Sequence, residues 1–175
     1  MNEINYVIRA LDEDADDFFR LNEFCCNEEG LNDFLYGAAS AYHADGSGRT
    51  FLAINAKNNE IIGYYTLRTN GLPFVDPKHG TNKIIPVIEI TRFAINHHYQ
   101  NKKLGRDILK DVIKNRVFDA LSPLVAFKAI YLLSLKTAAG FYEKLGFQEL
   151  PDDFQNDFLE FDIAKECKAM ILSLY

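Results

Sequence analysis

The chain has 175 residues, 48% of them hydrophobic, with ten glycines and five prolines. That excludes a disordered or collagen-like chain and suits one domain with a real core. The net charge of −6 is uneven: residues 1–60 carry −8, 61–83 carry +2, 84–146 carry +5 and 147–175 carry −5. The middle of the chain is therefore the part suited to meeting an anion.

No run approaches the roughly 20 apolar residues of a membrane span. The first residues, MNEINYVIRALDEDADD, are acidic and lack the basic-then-apolar order of a signal peptide. The expectation is a soluble, cytoplasmic protein without membrane contact. Cys25, Cys26 and Cys167 are odd in number, with two adjacent, which fits neither a disulfide framework nor a zinc site. They read as small buried hydrophobes. His79, His97 and His98 lack metal-ligand spacing with a carboxylate, so no metal is expected.

Asn5–Leu11 reads as a first or edge strand, and Asp12–Phe24 as a short helix whose acids crowd the first turn, where the helix dipole favours them. Next, Leu31, Phe34, Leu35, Ala38, Ala39 and Tyr42 recur at helical spacing, predicting a helix with one apolar face, ended by Asp45–Gly48. Arg49–Ala56 and Glu60–Arg68 are β-rich runs split by Lys57-Asn58-Asn59, a hairpin signal. GLPFVDPKHGTN, with two prolines, reads as a loop, and Ile85–Asn96 as a third strand. Leu104, Ile108, Val112, Ile113, Val117, Ala120 and Leu121 mark a long amphipathic helix stopped by Ser122-Pro123.

Phe127–Leu135 reads as a buried strand. In TAAGFYEKLGF, Ala138, Phe141, Tyr142 and Leu145 share one helix face and Gly146 is the stop. FQELP and DFLEFDIA read as two further strands, and AKECKAMILSLY as a C-terminal helix. That helix is expected to pack on the domain, with a homodimer contact as the alternative. The order βααβββαβαββ(α) describes one mixed α/β domain over residues 1–175.

HHYQNKKLGRDIL (His97–Leu109) lies between the third strand and the long helix. A strand, a turn and a helix beginning near Leu104 place backbone N–H groups at a helix N-terminus, an anion site by geometry and dipole. Lys102, Lys103 and Arg106 add full charges. There is no Gly-Lys-Ser/Thr, which excludes a Walker loop, and the single glycine excludes a dinucleotide fingerprint.

ITRFAINHHYQNKKLGRDIL, followed about 30 residues later by FYEKLGF, resembles the GNAT superfamily of acetyl-CoA-dependent N-acetyltransferases. The superfamily motif Gln/Arg-x-x-Gly-x-Gly/Ala is offered here as Gln100-Asn101-Lys102-Lys103-Leu104-Gly105, and the element order matches over nearly the whole chain. The resemblance implies an α/β fold of the α+β type: a mixed, mostly antiparallel central sheet of six to seven strands flanked by helices. It implies acetyl-CoA as cosubstrate. It implies that strand Glu89–Ile95 splays from its neighbour and holds the pantetheine arm through the backbone of Phe93, Ala94 and Ile95. It implies that Gln100, Asn101, Lys102, Lys103, Leu104, Gly105 and Arg106 wrap the pyrophosphate.

Tyr142, in Phe141-Tyr142-Glu143, matches the position of the general acid that protonates the leaving thiolate; the plainer alternative is an apolar-face aromatic. Glu89 falls where several relatives carry a catalytic glutamate, and a partly buried structural acid is the equal alternative. Tyr64, Tyr65, Thr66, Arg68 and Arg92 are candidates to line the acceptor cleft, with parity open. Two departures stand out. Lys103 occupies the first motif glycine, at a cost of about 1–2 kcal/mol if φ is positive there. Leu135, Lys136 and Thr137 stand where the superfamily often has a cofactor-touching asparagine.

A narrower resemblance is carried by FCCNEEGLNDFLYGAASAYH, IIGYYTLR and LP…IPVIEITRFAINHHYQ, which resemble the acetyltransferase toxins of bacterial toxin–antitoxin pairs. It implies charged tRNA as acceptor and an antitoxin protein as partner. That group shows Phe-x-Cys-Gly where this chain has Cys26 followed by Asn27. Glu23, Glu28, Glu29 and Asp33 would suit a small cationic amine or a protein amine instead. A non-catalytic acyl-CoA-binding domain is the third reading.

Overall fold

The computed structural model describes residues 4–11, 21–76, 78–151, 154 and 166–174. Seven strands form one sheet: β1 (Tyr6–Ala10), β2 (Arg49–Asn55), β3 (Ile61–Val75), β4 (Asn82–Ile95), β5 (Ala129–Leu135), β6 (Gln148–Glu149) and β7 (Cys167–Ser173). Their order is β1-β2-β3-β4-β5-β7-β6. The β1–β2, β2–β3, β5–β7 and β6–β7 pairs are antiparallel, and β4–β5 is parallel. Between β3 and β4 the bonds Ile62–Asn96, Thr66–Thr91 and Asn70–Glu89 run in opposite senses, so this pair is antiparallel too. The mixed, mostly antiparallel sheet is the one expected.

Among the described residues, the helical segments are α1 (Glu29–Asp33), a π-helical segment (Phe34–Ala38), α2 (Ala39–Asp45), a 3-10 turn (His97–Tyr99), α3 (Leu104–Asp111), a second π-helical segment (Val112–Leu121) and α4 (Ala139–Glu143). Gly46, at φ +81°, ends α2 in the left-handed conformation that glycine adopts without a Cβ penalty.

The chain packs as two compact units and crosses between them within β3 and β4. One is built on the described residues of Met1–Arg68 and Thr91–Leu109, the other on those of Thr69–Ile90 and Lys110–Tyr175. In the first, Leu35, Ala39, Leu52 and Tyr64 are at most 1% exposed, and Phe24 meets Tyr64 edge-on at 5.5 Å between ring centroids. In the second, Leu72, Val87, Ala129, Tyr131 and Ala169 form the core. Each large apolar side chain fully buried contributes roughly 1.5–3 kcal/mol.

Four expectations are corrected. The two-proline stretch is not all loop, because β3 runs on to Val75 and β4 begins at Asn82. Pro73 is tolerated there because β2 pairs with β3 only as far as Arg49↔Leu67, leaving an edge where a missing N–H costs little. The C-terminal helix is instead strand β7, paired with β5 on one side and β6 on the other. A short apolar run buried on both faces lacks the alternation that tells strand from helix. The packing alternative is the one the strand takes: β5 pairs along the whole of β7, and β6 pairs with it at Met170 and Ile171.

The long helix also keeps a different phase. Val112 and Val117, five residues apart, are both 0% exposed, and the Ser122 N–H bonds the Val117 carbonyl, which is π geometry. The wider turn rotates Ala120 to the surface, while Leu109, outside the expected stripe, is fully buried. Tyr42, expected on the apolar face, is 38% exposed and touches Phe34 ring-to-edge. The expected helix over Asp12–Phe24 falls largely, and the expected strand DFLEFDIA wholly, outside the described residues.

Candidate active site

The loop expected to receive an anion lies between β4 and α3. After Ile95, Asn96 caps a 3-10 turn (His97–Tyr99) by accepting the His98 N–H on its side chain. Asn101 and Lys103 then take left-handed conformations, φ +59° and +65°. The positive φ anticipated for the first motif glycine is thus present, and a lysine bears it. The Asp107 N–H bonds the Lys103 carbonyl at 3.1 Å, so Lys103 stands at the helix start. The N–H groups of Leu104, Gly105 and Arg106 have no acceptor one turn back within the helix. Lys102 lies 5.5 Å from the centroid of the Tyr99 ring, and Arg106 pairs with exposed Asp107 at 3.0 Å. These donors and charges fit a diphosphate in chemistry.

The loop is anchored from behind. Gln100 donates from Nε2 to the Ile95 carbonyl at 2.9 Å and the Cys26 carbonyl at 3.0 Å. His97 bonds the Cys25 carbonyl through its N–H at 2.8 Å and its Nδ1 at 2.9 Å. Tyr99 donates to Glu60 and accepts from Asn55. Cys26 is followed by Asn27 at φ +69°, which accounts for Asn where the toxin group has Gly: both tolerate the left-handed region. All three cysteines are free; Cys26 is buried, the others half-buried.

On β4, Ala94 is buried and Phe93 and Ile95 are half-buried. A Cβ on Gly63 of β3 would meet the Ala94 carbonyl oxygen at 2.5 Å. The glycine there is a packing requirement, setting how closely β3 approaches the part of β4 that feeds the loop. The β4–β5 register covers Val87↔Ala129 to Ile90↔Leu132, and each strand continues beyond it.

Glu89 and Tyr142 both lie in the second unit. Glu89 is 4% exposed, opposite Tyr131 in the register, and accepts from Asn70 Nδ2 at 2.8 Å. Tyr142 is 8% exposed on α4 and lies edge-on to Phe141 and Phe147. Burial pushes its phenol well above the usual tyrosine range. Among the described residues, no group hydrogen-bonds its hydroxyl.

The acceptor-cleft candidates divide by parity. Tyr64 bonds the Leu31 carbonyl at 2.8 Å and belongs to the core. Thr66 shares a buried hydroxyl–hydroxyl bond with Thr50 at 2.8 Å, and Tyr65 stacks on Phe51. Arg92 is half-buried over the Phe34 ring at 4.9 Å, while Arg68 is exposed. Glu23, Glu28, Glu29 and Asp33 are all exposed. Sequence reasoning missed Asn32 and Asn70, polar residues whose partners are known only once the segments pack.

A mixed sheet with one parallel β4–β5 pair and a match to the acetyltransferase domain define the class as an acyl-CoA-dependent N-acetyltransferase. Residues 25–162 match the acetyltransferase (GNAT) domain, and the chain belongs to that family. It is 28% identical over 163 residues to the tRNA-acetylating toxin of Mycobacterium tuberculosis (strain ATCC 25618 / H37Rv), covering 90% of this chain and 92% of that protein. AtaT complexed with acetyl-methionyl-tRNAfMet is similar at a TM-score of 0.73 and 25% identity, over 97% of this chain and 95% of that one. A mutant AtaT toxin bound to the C-terminus of the antitoxin AtaR and acetyl-CoA is similar at 0.71 and 26% identity, over 96% and 92%. Among the described residues, no group of three His, Cys, Asp or Glu could hold a metal ion, and no helix is long and apolar enough to cross a membrane.

Proposed function

We propose that residues 1–175 form a single cytoplasmic acetyltransferase domain that moves the acetyl group of acetyl-CoA to the amino group of the amino acid on charged tRNA. An antitoxin protein would restrain it. The observation that carries this reading is the loop before α3, whose left-handed Asn101 and Lys103 lead directly into the helix start beside exposed Lys102 and Lys103. The near full-length likeness to a tRNA-acetylating toxin favours the acceptor.

In this reading the N–H groups of Leu104, Gly105 and Arg106 receive the pyrophosphate, with Lys102 and Lys103 adding charge. The backbone of Phe93, Ala94 and Ile95 takes the pantetheine arm. Gln100 holds the loop in place, since both its side-chain protons are committed to carbonyls. The acceptor must be a neutral amine, so Glu89, directly or through water, takes a proton from the ammonium. The nitrogen attacks the thioester carbonyl carbon, the C–S bond breaks, and the net proton transfer is from nitrogen to sulfur. Tyr142 hydrogen-bonds the departing sulfur. Its buried phenol stays neutral, so the proton is available across the physiological range.

A second reading, a cationic polyamine or a protein amine as acceptor, draws on exposed Glu23, Glu28, Glu29 and Asp33. The test is thiol release from acetyl-CoA with charged tRNA, uncharged tRNA, a polyamine and a peptide amine. Release that requires the aminoacyl group and collapses in Tyr142→Phe supports the tRNA reading. Release with the polyamine or the peptide alone favours the second. Acetyl-CoA binding by calorimetry with no release on any acceptor leaves a non-catalytic acyl-CoA-binding domain.

A further inference from the structure

We propose that Gln100 is a positioning residue that couples a strap, Cys25–Asn32, to the acetyl-CoA loop, so that cofactor affinity depends on Asn32, a residue outside the loop. The inference rests on the assignment of that loop to acetyl-CoA. Gln100 has two side-chain amide protons, and two carbonyls lie within bonding distance of Nε2: Ile95 at 2.9 Å and Cys26 at 3.0 Å. One bond closes the loop onto the end of β4 and the other fixes it to the strap.

The strap is held from its far side by Asn32. Its Oδ1 accepts the Cys26 N–H at 2.9 Å and the Cys26 thiol at 3.2 Å. The thiol also reaches the Glu28 carbonyl at 3.6 Å, and Cys26 is 5% exposed. Left-handed Asn27 turns the chain back so that Asn32 can reach Cys26. His97 adds the parallel tie to Cys25. Asn32, Cys26 and Gln100 therefore form one relay in which Cys26 gives its N–H to one side and its carbonyl to the other.

The loop needs such a relay. Lys103 is a non-glycine, non-asparagine residue in a conformation that disfavours a Cβ, so the loop carries local strain that its anchors help hold. An N–H cradle that is loose in the free protein must be ordered on binding, and that ordering subtracts from affinity.

The experiment measures KM for acetyl-CoA and kcat at saturating acceptor in the full chain. Gln100→Leu is expected to raise KM about tenfold with kcat nearly unchanged, and Asn32→Ala about fivefold. Asn32→Asp, which keeps the acceptor oxygen, stays close to wild type. The double variant Gln100→Leu/Asn32→Ala is no worse than Gln100→Leu alone, because both act through Cys26. An unchanged KM in Asn32→Ala, whatever its melting temperature, or effects that multiply, overturns the coupling. Should Asn32→Ala not fold, Asn32→Ser, too short to reach, takes its place with the same expectations. Lys102→Glu/Lys103→Glu separates the two assignments. If it raises KM while Asn32→Ala does not, the loop stands and the relay falls. If it too leaves KM unchanged, the loop assignment fails and takes the proposal with it.

Discussion

Asn70 donates its side-chain N–H to Glu89 Oε2 at 2.8 Å while its own oxygen accepts the Gly71 N–H at 2.7 Å. The second bond fixes which end of the amide faces the carboxylate. Because Glu89 is almost fully buried, removing this donor costs it one of its hydrogen bonds, a loss of about 1–3 kcal/mol. Asn70→Ala is expected to lower both the melting temperature and kcat, the latter about tenfold. Glu89→Gln is expected to lower kcat about a hundredfold. A Glu89→Gln enzyme with an unaltered kcat would assign the base elsewhere.

Tyr142 is held neutral by burial, so its ionisation contributes no basic limb to kcat up to about pH 10, the ordinary tyrosine value. Tyr142→Phe keeps the ring contacts with Phe141 and Phe147 and is expected to melt within a few degrees of wild type while losing about a hundredfold in kcat. Calorimetry and steady-state rates on the same preparation check both halves. Full activity in the phenylalanine variant would return Tyr142 to the plainer role of a packed aromatic.

Lys103→Gly removes about 1–2 kcal/mol of left-handed strain and returns about 0.5–1 kcal/mol through glycine's extra freedom in the unfolded chain. The melting temperature is expected to rise by about 1–4 °C. Acetyl-CoA binding survives the change, weakened less than about threefold, since the backbone N–H groups remain. Loss of binding would make the Lys103 ammonium a direct phosphate ligand. For either sequence, affinity falls as ionic strength rises, because the cluster is exposed and screened.

Asp76 organises the turn between β3 and β4. Lys83 Nζ at 2.6 Å, then the Lys78 N–H at 2.9 Å and His79 Nδ1 at 3.2 Å hold its carboxyl below the usual range. With the folded value depressed, the contribution to stability is complete above the unfolded value of about 3.9 and is lost as pH falls through the folded one. Asp76→Asn is therefore expected to melt below wild type at pH 6, with the gap narrowing as pH falls below about 3.9 toward the folded value. A gap that persists at low pH would show that the turn relies on something other than the ionised carboxylate.

The strands and the strand–turn–helix junction were legible because their signals are local. Alternation and β-branched content mark β2, β3 and β4, and a strand–turn–helix junction rich in lysine needs no tertiary information. What escaped depends on partners far along the chain. AKECKAMILSLY reads alike as helix or strand until β5 and β6 flank it. The π turn between Val112 and Val117 shifts a helix stripe by one residue, which a fixed period of 3.6 does not anticipate. Asn32 and Asn70 look like ordinary surface amides. Only the strand register brings Asn70 to Glu89, and only the turn at Asn27 brings Asn32 to Cys26.

The place of β7 between β5 and β6 has a consequence for synthesis. Both its neighbours precede it in the chain, so the ribosome delivers the middle piece last. Until Cys167–Ser173 emerges, β5 presents an unpaired edge from Ala129 to Leu135, the kind of edge that other nascent chains and chaperones capture. A ribosome stalled before Cys167 therefore carries the complete loop before α3 on a sheet whose β5 edge is still unpaired.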